Sequence, residues 1–322
     1  MSSVDVIVPC YRYGHFLKEC VDSVLAQSGP SVRVLIIDDA SPDNTREVAT
    51  QLARHESRVT FLRHTSNKGH IATYNEGLEW AAADYLLLLS ADDYLLPGAL
   101  SRAAALMNAH LEVSFTFGAA AILHSDGSTS LDLTLRCSGA STILKGHKFL
   151  ARMGGRNVVT TPTAVVRTKI QKQVGGYCFE LPHAGDLEMW LRLAAHGSVG
   201  YIKTPQAVRR RHPTNMCLAY TANGGLGDCE QREAALHSFF SRYRDQIPRR
   251  LRRRAAYQLS CDAIDNASAA WEEGRMRDFE QLIDFAIRNC PEATQSLQWA
   301  KLSLKRSLGV PIYGRLRSLL GR

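Results

Sequence analysis

The sequence predicts an α/β fold, in which a mostly parallel β-sheet carries helices on both faces and is followed by a helical C-terminal region. In the first hundred residues, stretches of helical periodicity alternate with four apolar runs, at residues 4–8, 32–37, 59–62 and 85–89. Strands that are apolar at nearly every position are buried on both sides, so a sheet of such strands needs helices on both faces. After about Gly224 the strand signals stop and helical patterns continue to the end of the chain.

The first two helices are indicated by local signals between the apolar runs. Phe16, Cys20 and Val24 are spaced to form one apolar face of a helix between the first two runs. In the segment ASPDNTREVATQLA, Ser41 has the residue type of an N-cap, and Pro42 follows it where a proline suits the first residue of a helix. The second helix is therefore predicted to begin at Pro42.

Later elements of the sheet region are predicted in the same way. Residues 113–123 and 158–166 are rich in apolar and β-branched residues, which predicts two further strands. The next helix has an apolar stripe at the spacing i, i+3, i+4 and i+7, formed by Leu187, Trp190, Leu191 and Ala194. With the change in character near Gly224, we predict a sheet domain at residues 1–224 and a basic, amphipathic helical region at residues 225–322.

Composition and charge limit the classes of protein to which the chain can belong. The 322 residues are 45% hydrophobic and 22% charged, which is ordinary globular composition, and the net charge is +8. No run reaches the ~18 apolar residues of a transmembrane helix, and the first residues lack the basic start and long apolar stretch of a signal peptide. We therefore expect a cytoplasmic protein. The positive charge predicts an anionic partner, and nucleotide phosphate, nucleic acid and an anionic membrane surface all satisfy it.

Two pairs of adjacent aspartates follow predicted strands. Asp38 and Asp39 end the run VLIIDD, and Asp92 and Asp93 follow LLLLSA. Ligands of open α/β sheets bind beyond the carboxyl ends of the strands, although aspartates also occur there as turn residues. Neighbouring carboxylates can hold Mg²⁺ or Mn²⁺ that also contacts a diphosphate, and an acid at a strand end can accept hydrogen bonds from a base or ribose. No glycine-rich phosphate loop follows the first strand, so metal and arginine are expected to neutralise the phosphates.

Six segments, taken in order, resemble one enzyme family. They are VDVIVPCYRYGHFLKECVDSVLAQ, VLIIDDASPDNT, NKGHIATYNEGL, LLLLSADDYLLPGAL, VGGYCFELPHAGDLEMWLRLA and RRRHPTN. Their order and spacing are similar to those of the family 2 glycosyltransferases, from Val4 to Asn215. The resemblance implies a GT-A fold with a Rossmann-like sheet, and an inverting transferase that moves a sugar from a nucleotide diphosphate, usually UDP or dTDP, to an acceptor hydroxyl. It also implies Mn²⁺ or Mg²⁺ as the cofactor, and a place in the synthesis of cell-surface polysaccharide or glycolipid.

The resemblance assigns a nucleotide-binding role to residues near the ends of the first strands and to Asp92. These residues are Pro9, Tyr11, Asp39, Asn67, Gly69, Asn75 and Asp92. Asp39 matches the aspartate that reads the base in the family, and Pro9 and Tyr11 end the first strand where the family contacts the nucleotide. The loop that carries Asn67 and Gly69 is expected beside them.

The metal and diphosphate site implied by the resemblance lies further along the chain. Asp92 and Asp93 match the Asp-x-Asp region that holds ribose and metal, but Ser90 stands where the family often has the first aspartate. Either Asp92 or Asp93 is then the direct metal ligand. His212 in RRRHPTN matches the late histidine that completes the metal or diphosphate site, and Arg210 is expected to bind the diphosphate. A histidine in a basic surface loop would produce the same pattern.

The segment AGDLEMWLRL contains the predicted general base, which takes the proton of the acceptor hydroxyl as it attacks the anomeric carbon. Asp186 matches the aspartate of the family's Glu-Asp pair and is this base, whereas Gly185 replaces the preceding acid. Glu188 lies about 200° around the helix from Asp186, so it faces away from the same hydroxyl. The alternative is that Asp186 has no catalytic role and only stabilises the N-terminus of the helix. His70 and His183 are further candidates near the nucleotide loop and the base.

The C-terminal region combines arginines with leucines. Seven arginines lie between residues 242 and 254, against Asp245 alone. Basic amphipathic segments bind anionic membranes or nucleic acid, and solvated helix faces have the same composition. We predict peripheral attachment to the inner face of the membrane, which would suit a lipid-linked saccharide as the acceptor, with a free saccharide as the other acceptor class.

Other classes of protein remain open at this point. A nucleic-acid-binding protein would explain the charge, but no known reader motif is present and the basic cluster is confined to the C-terminal region. A catalytically silent scaffold with the glycosyltransferase fold would explain Ser90 and Gly185, which stand where the family has acids. A nucleotidyltransferase would share the sheet and the aspartates, but it is expected to have a glycine-rich loop where this chain reads PCYRYGHF.

Overall fold

The computed structural model describes residues 2–133, 135, 139–216 and 218–319. The chain divides into two compact units, of which unit 1 comprises Met1–Leu150 and Asn157–Pro213 and unit 2 comprises Ala151–Arg156 and Thr214–Arg322. The boundary predicted at residue 224 lies inside unit 2. It falls just before the long helix that begins at Leu226, because the sequence signal marks the start of continuous helical periodicity and not the division between the units.

Ten strands in the described part of unit 1 form one sheet. They span Ser3–Cys10 (β1), Ser31–Asp38 (β2), Val59–Arg63 (β3), Tyr85–Leu88 (β4), Tyr94–Leu95 (β5), Val113–Leu123 (β6), Thr129–Asp132 (β7), Ser141–Leu144 (β8), Val165–Arg167 (β9) and Ser198–Arg210 (β10). The spatial order is β3-β2-β1-β4-β9-β6-β10-β5, with β7 paired to β6 and β8 paired to β10. The half formed by β3, β2, β1 and β4 is parallel. In the other half β6 and β10 are parallel, and the remaining pairs are antiparallel.

Twelve α-helices are present among the described residues. They span Gly14–Leu25 (α1), Thr45–His55 (α2), His70–Trp80 (α3), Ala99–Ala109 (α4), Gly146–Met153 (α5), Thr168–Val174 (α6), Gly185–Ala195 (α7), Leu218–Thr221 (α8), Leu226–Arg242 (α9), Arg249–Glu272 (α10), Met276–Asn289 (α11) and Leu297–Leu319 (α12). The predicted α/β class and the helical C-terminal region are confirmed. Within the same residues, no helix combines the length and the apolar character needed to cross a membrane.

Apolar side chains cover both faces of the parallel half of the sheet. Val6 and Val8 of β1 belong to one hydrophobic cluster with Leu17 of α1. Ile7 points to the opposite face, because successive side chains of a strand alternate. There it packs against α3 at Gly77, where an added Cβ would lie only 2.3 Å from a methyl group of Ile7. Glycine at this position therefore allows the helix to approach the strand, and the unbroken apolar run reflects burial on both faces.

Two parts of the sheet differ from the prediction. Within residues 158–166, Thr161–Thr163 form a 3₁₀ turn, and β9 begins only at Val165. Pro162 lies in this turn, and proline lacks the N–H group that a central strand needs. The strand β10 was not predicted, because the segment KTPQ in its middle breaks the apolar pattern; its pairing with β6 shifts register there.

The start of α2 also differs from the prediction. The helix begins at Thr45 and not at Pro42, and Ser41 is not its cap. The Ser41 hydroxyl instead accepts a hydrogen bond from the backbone N–H of Arg12 at 3.0 Å. Asp43 accepts hydrogen bonds from the N–H and the hydroxyl of Thr45. The polar residues before α2 thus connect the end of β2 to the end of β1, a contact that a local capping pattern does not reveal.

A buried carboxylate in β1 ties this strand to its neighbours. Asp5 is fully buried, and it accepts hydrogen bonds from the guanidinium of Arg33 at 2.8 Å. It also accepts hydrogen bonds from the N–H groups of Ala82 and Ala83 at 2.7 and 2.8 Å. Burial opposes the charge, but the hydrogen bonds from Arg33 and from the two amides hold the pKa of Asp5 below its usual range.

We expect Asp5→Ala to lower the free energy of unfolding by about 2 kcal/mol at pH 7, because the two amide N–H groups and Arg33 lose their acceptor. Asp84→Ala is the control, since it removes an exposed carboxylate that accepts hydrogen bonds from Ser3 at the same end of the sheet. The folded pKa of Asp5 is depressed. Its contribution to the free energy of unfolding is therefore present above about pH 4 and is lost as the pH falls through the folded pKa. Urea unfolding at pH 7 and pH 3 measures both effects; equal losses in the two variants at pH 7 would contradict the assignment.

Candidate active site

The carboxyl ends of β1, β2 and β4 lie at one edge of the sheet. Cys10 and Asp38 are opposite each other at the ends of β1 and β2, and β4 pairs in parallel with the other side of β1. Pro9 is buried within β1, whereas Tyr11, directly after the strand, is 41% exposed. Both aspartate pairs follow strands that end at this edge, where an open α/β sheet binds its ligands.

Asp39 is the centre of a hydrogen-bond network after β2. It is buried, and its Oδ1 accepts a hydrogen bond from the N–H of Lys68 at 2.7 Å and lies 2.7 Å from Nδ1 of His64. Its Oδ2 accepts a hydrogen bond from the N–H of Gly69 at 2.9 Å. The other ring nitrogen of His64 lies 2.8 Å from Glu76. The carboxylate therefore holds the loop between β3 and α3 in place.

The other residues predicted for the nucleotide loop separate into two groups. Asn67 accepts a hydrogen bond from the N–H of Gly69 at 3.0 Å, and Gly69 has a φ of +83° directly before α3, so both residues lie in the loop that Asp39 holds. Asn75 lies within α3, where it accepts a hydrogen bond from the N–H of Tyr177 and donates one to its carbonyl, at 2.6 and 3.0 Å. Asn75 thus fixes the loop before α7.

Asp92 and Asp93 lie in the turn between β4 and β5 and are 7% and 5% exposed. Oδ2 of Asp92 lies 3.1 Å from Nε2 of His212. Oδ1 of Asp93 accepts a hydrogen bond from the N–H of Arg210 at 2.9 Å. The structure therefore brings His212 to Asp92, although the two are distant in sequence, whereas the carboxylate of Asp93 contacts the backbone of Arg210.

Arg210, the last residue of β10, holds this turn. Its guanidinium donates hydrogen bonds to the carbonyl of Asp92 at 2.6 Å and to the carboxylate of Glu19. It also lies over the rings of Phe16 and Tyr94, 4.8 and 4.7 Å from their centroids. Both terminal nitrogens of Arg210 already donate to protein oxygens, so the structure places this side chain as a support of the turn.

Asp92 and His212 are the residues best placed to hold a cation. Oδ2 of Asp92 and Nε2 of His212 lie at hydrogen-bonding distance, 3.1 Å, and a carboxylate and an imidazole are both side chains that would serve as metal ligands. Burial, and then the charge of Asp92, raise the pKa of Asp93 well above its usual range. Among the residues that the structure describes, no three His, Cys, Asp or Glu side chains converge as metal ligands. The remaining ligands would have to be diphosphate and water oxygens, as is usual for Mg²⁺.

Asp186 lies in the first turn of α7 and is half-buried. Its Oδ2 accepts a hydrogen bond from the hydroxyl of Thr161 at 2.7 Å, and the hydroxyl of Tyr177 also hydrogen-bonds to this carboxylate. Burial raises the pKa of Asp186, while the two hydroxyls and the charges of His70 and His183 partly offset the increase. A carboxylate with a raised pKa is suited to take up a proton near neutral pH.

Tyr74 connects the two carboxylate sites. Its hydroxyl is hydrogen-bonded to the side chain of Ser90, and its ring packs edge-on against Tyr177 with the centroids 5.4 Å apart. Burial, followed by the charges of Asp186 and Asp92, raises the pKa of Tyr74 well above its usual range. The predicted base and the predicted metal site therefore lie within electrostatic reach of one side chain.

Glu188 belongs to the core and not to this site. It is fully buried and forms an ion pair at 2.7 Å with Arg192, which is itself 1% exposed. The guanidinium of Arg192 also donates hydrogen bonds to the carbonyls of Val174 and Gly176 at 2.7 and 2.8 Å. The pair anchors α7 to the turn that follows α6.

Sequence reasoning missed three side chains that shape the site, namely Thr161, Tyr74 and Tyr177. Thr161 was placed in a predicted strand, and the proline that follows it was the available sign of a turn. Both tyrosines lie inside segments that carry the family resemblance, but neither was given a role. The contact between their rings, and the hydrogen bond of Tyr177 to Asp186, depend on the packing of α3 against the loop before α7, which local patterns do not report.

Comparison with protein families decides the classification. The family described as glycosyl transferase family 2 matches residues 5–167, just over half of the chain. The chain belongs to this family. The match includes Asp39 and Asp92, whereas Asp186 and His212 lie beyond it.

Relatives and solved structures add detail. The uncharacterized glycosyltransferase EpsJ of Bacillus subtilis (strain 168) is 32% identical over 92 residues, which are 29% of this chain and only about a quarter (26%) of that protein. The crystal structure of S. aureus TarS 1-349 in complex with UDP-GlcNAc is similar with a TM-score of 0.59 at 15% identity, over 91% of this chain and 92% of that chain. The mannosyltransferase PcManGT from Pyrobaculum calidifontis, in complex with GDP-Man and Mn²⁺, is similar with a TM-score of 0.59 at 17% identity, over 95% of this chain and 80% of that chain. These similarities confirm the GT-A fold.

We expect Asp186→Asn to leave the stability at neutral pH unchanged or to raise it. Because the folded pKa of Asp186 is raised, its contribution to the free energy of unfolding is full below about pH 4 and declines as the pH rises through the folded pKa. The ionised carboxylate therefore lowers the stability at neutral pH, and asparagine removes this penalty. Glu188→Gln leaves the buried Arg192 without its counter-charge and is expected to lose roughly 3–5 kcal/mol. Thermal and urea unfolding at pH 7 compare the two variants. A loss in Asp186→Asn as large as that in Glu188→Gln would show that Asp186 is a structural acid.

Proposed function

We propose that this chain is an inverting, metal-dependent glycosyltransferase that moves a sugar from a UDP- or dTDP-sugar to an acceptor hydroxyl. The observation that carries the proposal is the arrangement around Tyr74, whose ring packs against Tyr177 beside Asp186 and whose hydroxyl is hydrogen-bonded to Ser90 just before Asp92. Asp186 has a pKa raised by burial and is suited to take a proton. Asp92 lies beside His212 and is suited to hold a cation. Membership of glycosyl transferase family 2 supports the reaction class.

The nucleotide is proposed to bind at the carboxyl ends of β1 and β2. Each oxygen of a carboxylate accepts about two hydrogen bonds. Oδ2 of Asp39 accepts one from the N–H of Gly69, and its remaining capacity supports a second hydrogen bond from the N–H of a pyrimidine. The exposed ring of Tyr11 offers a surface on which a base can stack. The TarS complex contains UDP-GlcNAc and the PcManGT complex contains GDP-Man, so a GDP-sugar is the alternative donor.

The cofactor is proposed to be Mg²⁺ or Mn²⁺, held by Asp92 and His212. The proximity of the two side chains supports this assignment, as does the Mn²⁺ in the PcManGT complex. When bound, the cation neutralises the diphosphate so that it can leave. Arg210 donates to the carbonyl of Asp92, and we therefore assign it a positioning role in addition to the diphosphate contact expected from the sequence.

Asp186 is proposed to act as the general base. The acceptor oxygen forms a bond to the anomeric carbon as the bond from that carbon to the diphosphate oxygen breaks, and the nucleotide diphosphate leaves with the electron pair. The proton of the hydroxyl passes to Asp186. Because attack comes from the side opposite the leaving group, the anomeric configuration inverts. The hydroxyls of Thr161 and Tyr177 hydrogen-bond to the carboxylate and keep it oriented for this step.

A catalytically silent scaffold is the second candidate, because Ser90 and Gly185 replace acids of the family pattern. The side chain of Ser90 is hydrogen-bonded to Tyr74. An added Cβ on Gly185 would lie 3.3 Å from the ring of Tyr177. Both departures thus adjoin tyrosines that line the site, while the acid proposed as the base is present. These contacts favour an enzyme over a silent scaffold.

The acceptor is proposed to be a free or lipid-linked saccharide, in the synthesis of cell-surface polysaccharide or glycolipid. Phe179 lies in the loop between α6 and α7, before Asp186, and is 65% exposed. An exposed aromatic ring presents an apolar face against which a sugar ring can pack. This ring supports a saccharide acceptor near the proposed base.

Asp186→Asn is expected to lower turnover by roughly 10²–10⁴, the contribution of general acid–base catalysis, with donor affinity nearly unchanged. Glu188→Gln is the control, assayed at a temperature at which circular dichroism shows that it is folded, and it should retain turnover. Release of nucleotide diphosphate from a panel of nucleotide sugars measures the rate, and calorimetry measures donor affinity. Full activity of Asp186→Asn, or an inactive but folded Glu188→Gln, would exclude Asp186 as the base.

Turnover is expected to be lost in excess EDTA and restored by Mn²⁺ or Mg²⁺. Asp92→Asn and His212→Ala should raise the metal concentration needed for half-maximal activity, because each removes a proposed ligand. Asp93→Asn should act mainly on stability, since its carboxyl group is hydrogen-bonded to the backbone of Arg210. Metal titrations of activity for the three variants make the comparison. Undiminished turnover in EDTA would rule out the metal site.

A further inference from the structure

Unit 2 contains a group of arginines that lies at the end of α9, in the following loop and in the first turns of α10. We call it the arginine cluster, and its members are Arg242, Arg244, Arg249, Arg250, Arg252, Arg253 and Arg254. All seven are exposed. Asp245 is the single acid between residues 242 and 254. The cluster therefore concentrates positive charge in one short segment of the unit.

The ion pairs of unit 2 lie elsewhere. They join Arg156 and Arg232 to Asp262, Arg232 to Asp228, Arg275 to Glu273 and Asp278, and Lys305 to Glu272. Within the described residues of this unit, no acid forms an ion pair with an arginine of the cluster. Glu292 is close enough to Arg253 for the charge of the arginine to act on it, but the two are not paired. Arg156, Arg232, Arg275 and Lys305 are thus paired with acids, whereas the arginines of the cluster are exposed to solvent.

The position of the cluster also opposes the dipole of α10. The N-terminus of an α-helix carries partial positive charge, so acids are favoured in the first turn and bases in the last. In the same unit, α9 and α11 follow this rule, with Asp228 and Asp278 in their first turns and Arg242 and Arg288 in their last. By contrast, α10 begins at Arg249 with no acid in its first turn. A bound anion would relieve this unfavourable arrangement.

A cavity of about 400 Å³ opens within the cluster. Its lining combines arginines and one acid with apolar side chains: Arg244, Asp245, Arg249, Arg252, Arg253, Phe240, Ile247 and Ala256. Its volume falls in the usual range of small-ligand pockets, about 300–1,000 Å³. The lining suits a ligand that joins an anionic group to an apolar one.

We propose that the arginine cluster and its cavity bind the phosphate headgroups of an anionic phospholipid bilayer. Guanidinium groups make paired hydrogen bonds to phosphate oxygens, and the apolar lining residues Phe240 and Ile247 suit the apolar part of a lipid next to its headgroup. Tyr257, four residues after Arg253 on α10, is 38% exposed, and tyrosine is enriched at membrane interfaces. A free phosphate or a nucleic acid would use the arginines without using these apolar groups. This proposal does not depend on the function proposed for unit 1.

Flotation of the full-length protein with vesicles tests the proposal. The protein should float with vesicles of phosphatidylcholine and phosphatidylglycerol, but not with phosphatidylcholine alone. The variant Arg249→Gln/Arg252→Gln/Arg253→Gln should bind the anionic vesicles about tenfold more weakly or worse, because juxtamembrane basic residues each add to binding. The control Arg46→Gln/Arg54→Gln/Arg277→Gln removes the same charge at exposed positions outside the cluster, and should stay within about twofold of the wild type. Equal losses in the two triple variants would overturn the proposal.

A second variant separates a lipid from other phosphate ligands. Tyr257→Ser keeps every charge and should weaken binding to the anionic vesicles, without changing the affinity for inorganic pyrophosphate measured by calorimetry. Circular dichroism confirms that each variant is folded. Binding of pyrophosphate or of a single-stranded RNA oligonucleotide by a protein that does not float with anionic vesicles would assign the cluster to free phosphate or nucleic acid and overturn the proposal.

Discussion

The parallel pairing of β2, β1 and β4 is the constraint on which the candidate site depends. Because these strands run in one direction, the segments that follow them come to the same edge of the sheet, and the acids in those segments come with them. Carboxylates close together repel each other and lose hydration when they are buried. Asp39 and Asp92 persist there because His64, Gly69 and His212 supply partners. The sheet therefore brings carboxylates that have hydrogen-bond partners to one edge.

Asp5 and Asp186 of unit 1 differ in the charge of their partners. Asp5 is bonded to a guanidinium and to backbone N–H groups, and its pKa is lowered. Asp186 is hydrogen-bonded to the neutral hydroxyls of Thr161 and Tyr177, and burial raises its pKa. A full positive charge in contact with a carboxylate stabilises the ionised form more than a hydroxyl does. The same fold thus contains carboxylates that stabilise it and a carboxylate that remains available to take a proton.

The basic groups of unit 2 show a similar division. Arg232 is bonded to Asp228 and Asp262 and to the carbonyl of Gly155, so its charge is used within the unit. The arginine cluster has no comparable partners in the described residues, and its members from Arg249 to Arg254 stand in the first turns of α10, where positive charge is disfavoured. This arrangement does not stabilise the folded unit, because like charges repel each other and oppose the helix dipole. A partner outside the chain would supply the missing negative charge.

By itself the sequence determined the α/β class, the first four strands, the helical C-terminal region and the family. These follow from apolar periodicity and from the order of motifs, which are properties of neighbouring residues. Only the tertiary structure decided that Arg210 supports the Asp92 turn and that Asn75 holds the backbone of Tyr177, and it placed Thr161 beside Asp186. The first two contacts join residues 118 and 102 positions apart. A side chain chooses its partner by proximity in the folded chain, and no local pattern contains that distance.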